Sequence, residues 1–249
     1  MFRVVVPARF ASTRLPGKPL ALLAGTPLVL HVHRLALRSG ALEVVVATDD
    51  ARIRDACARA GADVEMTDAS HPSGTDRIAE VAERRGWAPD AIVVNVQGDE
   101  PLLPPALIAQ AAGLLEADRG AAIATLATPI TTVAEFRDPN VVKVVASRNG
   151  RALYFSRAPI PWERDDGAPL PRGARRHLGI YAYRVEALRQ LSQAPPSPLE
   201  QAERLEQLRA LQLGLVNAVA DACEVAGPGI DTPEDLERAE QLIQKAARG

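Results

Sequence analysis

Glu43-Val44-Val45-Val46-Ala47-Thr48-Asp49-Asp50-Ala51-Arg52-Ile53-Arg54-Asp55-Ala56-Cys57-Ala58-Arg59-Ala60-Gly61 sets one strand directly before one helix. Residues 43–48 run apolar and β-branched without alternation, as in a strand covered on both faces. Ile53, Ala56, Cys57 and Ala60 then recur at i, i+3, i+4 and i+7, the stripe of an amphipathic helix, and Gly61 closes it. Upstream, residues 2–6 form another buried-type strand. Thr26-Pro27 reads as N-cap and first residue of a helix to about Ser39, stopped by Gly40. Downstream come a weak strand at 64–67, a helix at 75–85 with Ile78, Val81 and Ala82 inward, and an apolar run at 91–96 that has to be a central strand. Repeated strand–helix units predict an α/β fold: a mostly parallel central sheet with helices on both faces.

The second half changes character. A helix near 104–117 and a strand near 122–128 precede two runs, 141–147 and 152–156, that flank Asn149-Gly150. Asn-Gly in that setting predicts a β-hairpin whose type I′ turn has φ > 0 at both central residues. A strand at 177–183 and helices at 185–191 and 199–213 follow. The last helix opens at Thr232-Pro233-Glu234-Asp235, with an N-cap Thr, an N1 Pro and acids facing the dipole. With no internal repeat or linker, residues 1–249 read as a single α/β domain carrying a β-hairpin excursion.

Composition excludes several classes. Lys plus Arg number 29 against 31 Asp plus Glu, a net charge of −2, and aromatic residues are 4%. That leaves no basic footprint and few stacking platforms, so nucleic acid is not an expected partner. Cys57 and Cys223 are too few for a disulfide framework, lack metal-ligand spacing and sit in apolar surroundings, which predicts two buried reduced thiols. The beginning of the chain lacks the apolar region and cleavage site of a signal peptide, and no run approaches 18 apolar residues. A cytoplasmic protein without a membrane span is expected.

Four segments carry chemistry. Pro7-Ala8-Arg9-Phe10-Ala11-Ser12-Thr13-Arg14-Leu15-Pro16-Gly17-Lys18-Pro19-Leu20 leaves the first strand where ligands bind in open parallel sheets. Arg9, Arg14 and Lys18, with two hydroxyls and a Gly, suit a polyphosphate, and no acid occurs among the first 41 residues. The spacing matches neither a dinucleotide fingerprint nor a Walker loop. In Val93-Val94-Asn95-Val96-Gln97-Gly98-Asp99-Glu100-Pro101, an aspartate just past a central strand can hold Mg²⁺, which takes few carboxylates and completes its shell with water and phosphate oxygens. Asp231 directly precedes the last helix, where plain capping is the ordinary role and a metal role rests on something beyond spacing. Ser73-Gly74-Thr75-Asp76-Arg77 opens a helix by capping or by meeting a polar ligand, with Arg77 free to clamp a carboxylate. His177 and Tyr181 stand four apart on a strand and share a face, for which a core Tyr and an exposed His are the ordinary explanation. Glu203 and Glu206 fall by default on a solvated helix face.

Taken together these segments resemble the 3-deoxy-manno-octulosonate (Kdo) cytidylyltransferases. The resemblance is carried by residues 7–20, Ala-Thr-Asp-Asp (47–50), Ser-Gly-Thr-Asp-Arg (73–77), Asn-Val-Gln-Gly-Asp-Glu-Pro (95–101), Asn-Val-Val-Lys (140–143), Tyr-Phe-Ser-Arg-Ala-Pro-Ile-Pro (154–161), His-Leu-Gly-Ile-Tyr-Ala-Tyr-Arg (177–184), Leu-Glu-Gln-Leu-Arg (205–209) and Gly-Ile-Asp-Thr-Pro-Glu-Asp-Leu (229–236). Residues 162–175 match least. It implies a nucleotide-diphospho-sugar transferase (glycosyltransferase-A-like) fold, with a nucleotide-binding part at about 1–130 plus the C-terminal helix, and a sugar-acid and dimerisation excursion at about 131–215. It further implies CTP and Kdo as substrates, Mg²⁺ as cofactor, a homodimer and a place in lipopolysaccharide biosynthesis. Ala8, Arg9, Ser12, Arg14, Lys18, Ser73 and Gln97 would bind the nucleotide, with Arg9 and Lys18 catalytic. Asp99 and Asp231 would be catalytic too, by holding the metal. Arg77, Arg157, His177, Tyr181, Glu206 and Gln207 would surround the sugar acid. Two alternatives stay open: another sugar nucleotidyltransferase, such as a CMP-sialic acid synthetase, and a non-catalytic nucleotide-binding module.

Overall fold

A computed structural model describes residues 1–11, 14–164 and 170–248, with side chains through Lys245. In chain order the elements are β1 (Phe2–Ala8), a 3-10 turn (Lys18–Leu20), β2 (Leu22–Leu23), β3 (Thr26–Pro27), α1 (Leu28–Leu37), β4 (Val44–Thr48), α2 (Ala51–Arg59), β5 (Val64–Met66), α3 (Gly74–Arg84), β6 (Ile92–Asn95) and α4 (Pro105–Ala117). The second half continues with β7 (Ile123–Pro129), α5 (Val133–Arg137), β8 (Lys143–Ala146), β9 (Ala152–Ser156), β10 (Arg175–Arg184), α6 (Val185–Gln193), α7 (Pro198–Glu203), α8 (Gln207–Gln212), β11 (Asn217–Asp221) and α9 (Pro233–Arg248).

Among the described residues one nine-stranded sheet runs β11-β7-β10-β6-β1-β4-β5, with β8 and β9 branching from β10. The pairs β1·β4, β1·β6, β4·β5 and β7·β11 are parallel. Only β10, wedged between β6 and β7, and the hairpin beyond it run antiparallel. The parallel strands explain their own composition: Val4, Val5, Val6, Val45 and Val46 are fully buried because helices cover both faces. One core, from Val4, Val46 and Val94, faces α1 and α4; the other, from Val5, Val45 and Val93, faces α3 and α6.

Several local expectations change. Thr26 is not the N-cap of α1: it and Pro27 pair with Leu22–Leu23 in a small ribbon, Pro27 takes the N-cap position without a side-chain bond, and the helix begins at Leu28. The 149–150 turn is not type I′. Its closing bond runs from the Gly150 amide to the Ser147 carbonyl, so Arg148 and Asn149 are the central residues, and only Gly150 has positive φ (71°). That is the longer hairpin connection with a left-handed glycine after the turn. The helix expected at 199–213 is two, because Arg204 adopts φ 54° and ends α7. Cys57 is buried, and desolvation pushes its thiol up to about 11, but Cys223 is exposed in the loop after edge strand β11. No helix among the described residues is long and apolar enough to cross a membrane.

Candidate active site

A cavity of about 500 Å³ lies beyond the carboxyl ends of β1 and β6, and its walls include Ala8, Arg9, Arg14, Lys18, Ser73, Gln97, Asp99 and Asp231. These are the residues expected from the loops after separate strands. Ser12, expected alongside them, lies outside the described residues.

Local chemistry explains the convergence. Gly17 takes φ 68°, and a Cβ there would stand 3.0 Å from the Phe10 ring, so only glycine lets the loop fold back and start the 3-10 turn at Lys18. Gly98 serves a close approach: its added Cβ would lie 2.9 Å from the Pro7 carbonyl oxygen, so a side chain would push the β6 loop off β1. Ser73 caps α3 through a reciprocal pair with Asp76 and also lines the cavity, so both of its alternative roles hold geometrically. The same double position applies to the last helix. Thr232 Oγ1 accepts from the Asp235 amide, Asp235 Oδ2 accepts from the Asp231 and Thr232 amides, and Asp231 is left to face the cavity.

Asp99 and Asp231 are joined from distant parts of the chain. The Ile230 amide donates to the Asp99 carbonyl at 2.8 Å, and Ile230 itself is fully buried with Leu23, Leu28 and Ala239 under α9. Lys18 Nζ donates to Asp99 Oδ2 at 2.6 Å, to Asp231 Oδ1 at 3.0 Å and to the Ile230 carbonyl at 3.0 Å. Arg14 Nη2 adds an ion pair to Asp231 at 2.9 Å. Burial alone would lower the Lys18 ammonium, but the hydrogen bonds to Asp99 and Asp231 outweigh it and hold its pKa above the ordinary lysine value. Glu100, beside Asp99, goes the other way: burial and then the Asp99 charge push its carboxyl up to about 7, against an opposing pull from Arg176.

A cation placed between these two carboxylates therefore fits the geometry. Among the described residues no cluster of three or more His, Cys, Asp or Glu could hold a metal. Two carboxylates are what Mg²⁺ requires when phosphate oxygens and water complete its shell.

The sugar-acid candidates occupy a different region and come together only in part. Tyr181, Glu206 and Gln207 line one narrow cleft of roughly 10 Å³ with Tyr183. The His177 ring lies 5.1 Å from Tyr181 in a tilted contact, at 46° between planes, and edge-on to Phe155, also at 5.1 Å. The shared face survives a register irregularity between Leu178 and Tyr181. His177 is not the exposed residue that its strand position suggested. Its Nε2 lies 2.9 Å from Thr125 Oγ1, whose single proton goes to the Leu178 or Ile180 carbonyl, and desolvation lowers the imidazole to about 3. The ring is thus neutral, with the proton on Nε2. Tyr181 keeps a buried hydroxyl with no partner among the described residues, and burial raises its pKa well above the ordinary value. Burial also raises Glu206, against a hydrogen bond from Thr75.

Arg157 is held on four sides. Its amide donates to Glu203 Oε2 (2.8 Å), Nε to the Glu203 carbonyl (2.6 Å) and Nη1 to the Pro139 carbonyl (3.0 Å), while its own carbonyl accepts from Lys143 Nζ (2.6 Å). Sequence reasoning missed Glu203 and Lys143 as organisers of this corner. A lysine inside Val141-Val142-Lys143-Val144-Val145 was a legible anomaly: fully buried, it donates to the Asp138, Val141 and Arg157 carbonyls. Glu203 carried no such signal, because its partners, Ser156 Oγ and the Arg157 amide, are 46 or 47 residues away.

Arg77 does not line the large cavity. It is fully buried on α3, with Nη2 donating to Asp49 Oδ2 at 2.7 Å, Nη1 bonded to Thr67 Oγ1 and Nε without a partner among the described residues. Its charge nevertheless reaches the cavity wall: burial, then Arg77, lowers the Arg9 guanidinium, and Asp49, Asp76 and Glu206 oppose the shift.

A cationic strand-end loop facing paired aspartates in a mostly parallel sheet defines a sugar nucleotidyltransferase by fold and site. The family described as Cytidylyltransferase matches residues 3–217. A 3-deoxy-manno-octulosonate cytidylyltransferase of Halorhodospira halophila (strain DSM 244 / SL1) is 55% identical, covering 98% of this chain and 97% of its own. Its counterpart in Thioalkalivibrio sulfidiphilus (strain HL-EbGR7) is 54% identical over 98% and 99%. The solved structure of a CMP:2-keto-3-deoxy-manno-octonic acid synthetase complexed with CTP superposes with a TM-score of 0.91 at 42% identity, covering 99% of this chain and 100% of that one. The chain belongs to the 3-deoxy-manno-octulosonate cytidylyltransferase family.

Proposed function

We propose that the protein transfers CMP from CTP to Kdo, releasing pyrophosphate, as a Mg²⁺-dependent cytoplasmic homodimer that supplies CMP-Kdo for lipopolysaccharide assembly. The observation that carries the reading is the convergence of Arg9, Arg14 and Lys18 with Asp99 and Asp231 on one cavity at the strand ends. In that cavity the arginine forks and the lysine bind triphosphate oxygens and orient the α-phosphorus for in-line attack by the Kdo C2 hydroxyl. Charge shifting onto the departing pyrophosphate is met by Lys18 and Arg9. Ala8, Ser73 and Gln97 line the same cavity and supply backbone and side-chain contacts for the base. Asp99 and Asp231 would hold Mg²⁺, which when bound supplies Lewis-acid stabilisation at the phosphate.

Arg157, His177, Tyr181, Glu206 and Gln207 are assigned to Kdo, whose carboxylate calls for a cation and whose hydroxyls call for acceptors and donors, while Arg77, tied to Asp49 and Thr67, serves the site through its charge. The buried Tyr181 hydroxyl, unpartnered among the described residues, supports this, since buried polar groups without partners are costly unless a ligand completes them. The dimer is assigned to the edge of β9, which among the described strands pairs with β8, meets β11 through the neighbouring Arg151–Ala218 bridge and exposes Leu153. Pyrophosphate release with CTP, Mg²⁺ and Kdo, each omitted in turn, tests the reaction. Sialic acid in place of Kdo separates the nearest rival, and nucleotide binding without release would favour a non-catalytic module.

A further inference from the structure

Lys18 stands between the two carboxylates that the proposed reaction reserves for a divalent cation. An ammonium has three N–H donors, and here all three are engaged: Asp99 Oδ2 at 2.6 Å, Asp231 Oδ1 at 3.0 Å and the Ile230 carbonyl at 3.0 Å. Asp231 also carries Arg14 at 2.9 Å, so two carboxylates face two cations and the local charge is balanced. A dication entering this arrangement would have to displace the ammonium and shed its own water in return for only two protein oxygens.

We propose that Lys18 is the internal counter-ion of Asp99 and Asp231, excluding divalent metal from the nucleotide-free enzyme, so that metal enters only together with the triphosphate. The proposal rests on the cytidylyltransferase reading given above. Exchange explains the order: a triphosphate offers the flexible lysine stem another set of anionic oxygens in the same cavity, freeing the carboxylates as phosphate oxygens arrive to complete a metal's shell. The carboxylates do not depend on Lys18 to stay adjacent, because the Ile230 amide to Asp99 carbonyl bond joins their backbones at 2.8 Å.

The test is Mn²⁺ uptake by the full chain, read from the electron paramagnetic resonance signal of the free ion. Wild type without nucleotide should take up no Mn²⁺ below about millimolar, but should do so with CTP, beyond a protein-free CTP control. Lys18→Met without nucleotide should bind at least about tenfold more tightly than wild type, roughly the effect of 1.4 kcal/mol, and lose the gain when Asp99→Asn is added. Lys18→Gln serves if Lys18→Met does not fold. Uptake by nucleotide-free wild type as tight as by Lys18→Met, or no gain in either variant, overturns the proposal. Pyrophosphate release by the same wild-type preparation separates the two claims. Release with an adverse Mn²⁺ result removes the counter-ion role alone, and no release removes the transferase reading.

Discussion

The nucleotide side and the sugar-acid side of this molecule are built on opposite plans. The first is an open cavity of about 500 Å³ whose charged side chains arrive on loops after β1 and β6 and before α9, with Ser73 added ahead of α3. In the second, the functional groups hold one another: Arg157 is tied to Glu203 and Lys143, Arg77 to Asp49 and Thr67, and the Tyr181–Glu206 cleft is only about 10 Å³. Parallel strands deliver loops to one end of a sheet, so a polyphosphate site follows from topology. The antiparallel strand β10 and its hairpin provide no common end, and their side chains are positioned by cross-links between distant segments.

The largest effect expected on the open side is that of Asp99→Asn. CMP-Kdo formation should fall on the order of 10³-fold or more, with the melting temperature nearly unchanged, because the cavity is already solvated. Near-native turnover at ordinary Mg²⁺ would erase the metal role. On the cross-tied side, Arg77→Ala should instead appear first as stability, about 3–5 kcal/mol in urea unfolding, because it strands Asp49 beside a buried gap. If only the kinetics for Kdo change, Arg77 belongs with the open residues and the contrast is wrong.

Glu100 lies between the two plans and gives a smaller, pH-dependent effect. Its folded pKa, about 7, stands above the ordinary carboxyl value, so the folded state favours the proton. Its contribution is fully present below the unfolded pKa and is lost as pH rises through about 7. In the absence of divalent metal, Glu100→Gln should match wild type near pH 4.5 and exceed its stability at pH 8 by on the order of 2 kcal/mol, allowing for partial exposure. Thermal melts across that range check it, and parallel curves would show that Glu100 is ionised throughout. Glu203→Ala should give the smallest change, roughly a tenfold rise in KM for Kdo, the scale of one charge-assisted hydrogen bond, with KM for CTP unmoved. An equal rise in both constants would show that the two sides are not separable.

Legibility followed the same division. The loop at 7–20, the Gln97-Gly98-Asp99 strand end and the Asp231 helix start were readable, since each keeps its chemistry within a few consecutive residues. Asp231 was ambiguous between capping and ligation; Thr232 and Asp235 make the capping bonds, and the Asp231 carboxylate faces the cavity instead. Glu203 looked like a solvated helix residue, because nothing near it in sequence shows that Arg204 turns left-handed and aims it at β9. His177 looked exposed for a similar reason: Thr125 and Phe155 reach it from other strands. The short β2–β3 ribbon and β11 carried too little periodicity to be read at all.

By itself the sequence determined the repeated strand–helix units, the parallel sheet they imply, the cationic loop and the family. Those rest on local periodicity and on motifs whose residues are neighbours in the chain. That Lys18 bridges Asp99 to Asp231, that Arg77 is sealed against Asp49 and that Glu203 organises Arg157 emerges from the folded chain alone. Ion pairs and hydrogen bonds act over about 3 Å in space whatever the separation along the chain, and no pattern of spacing records which distant segments the fold will bring within that range.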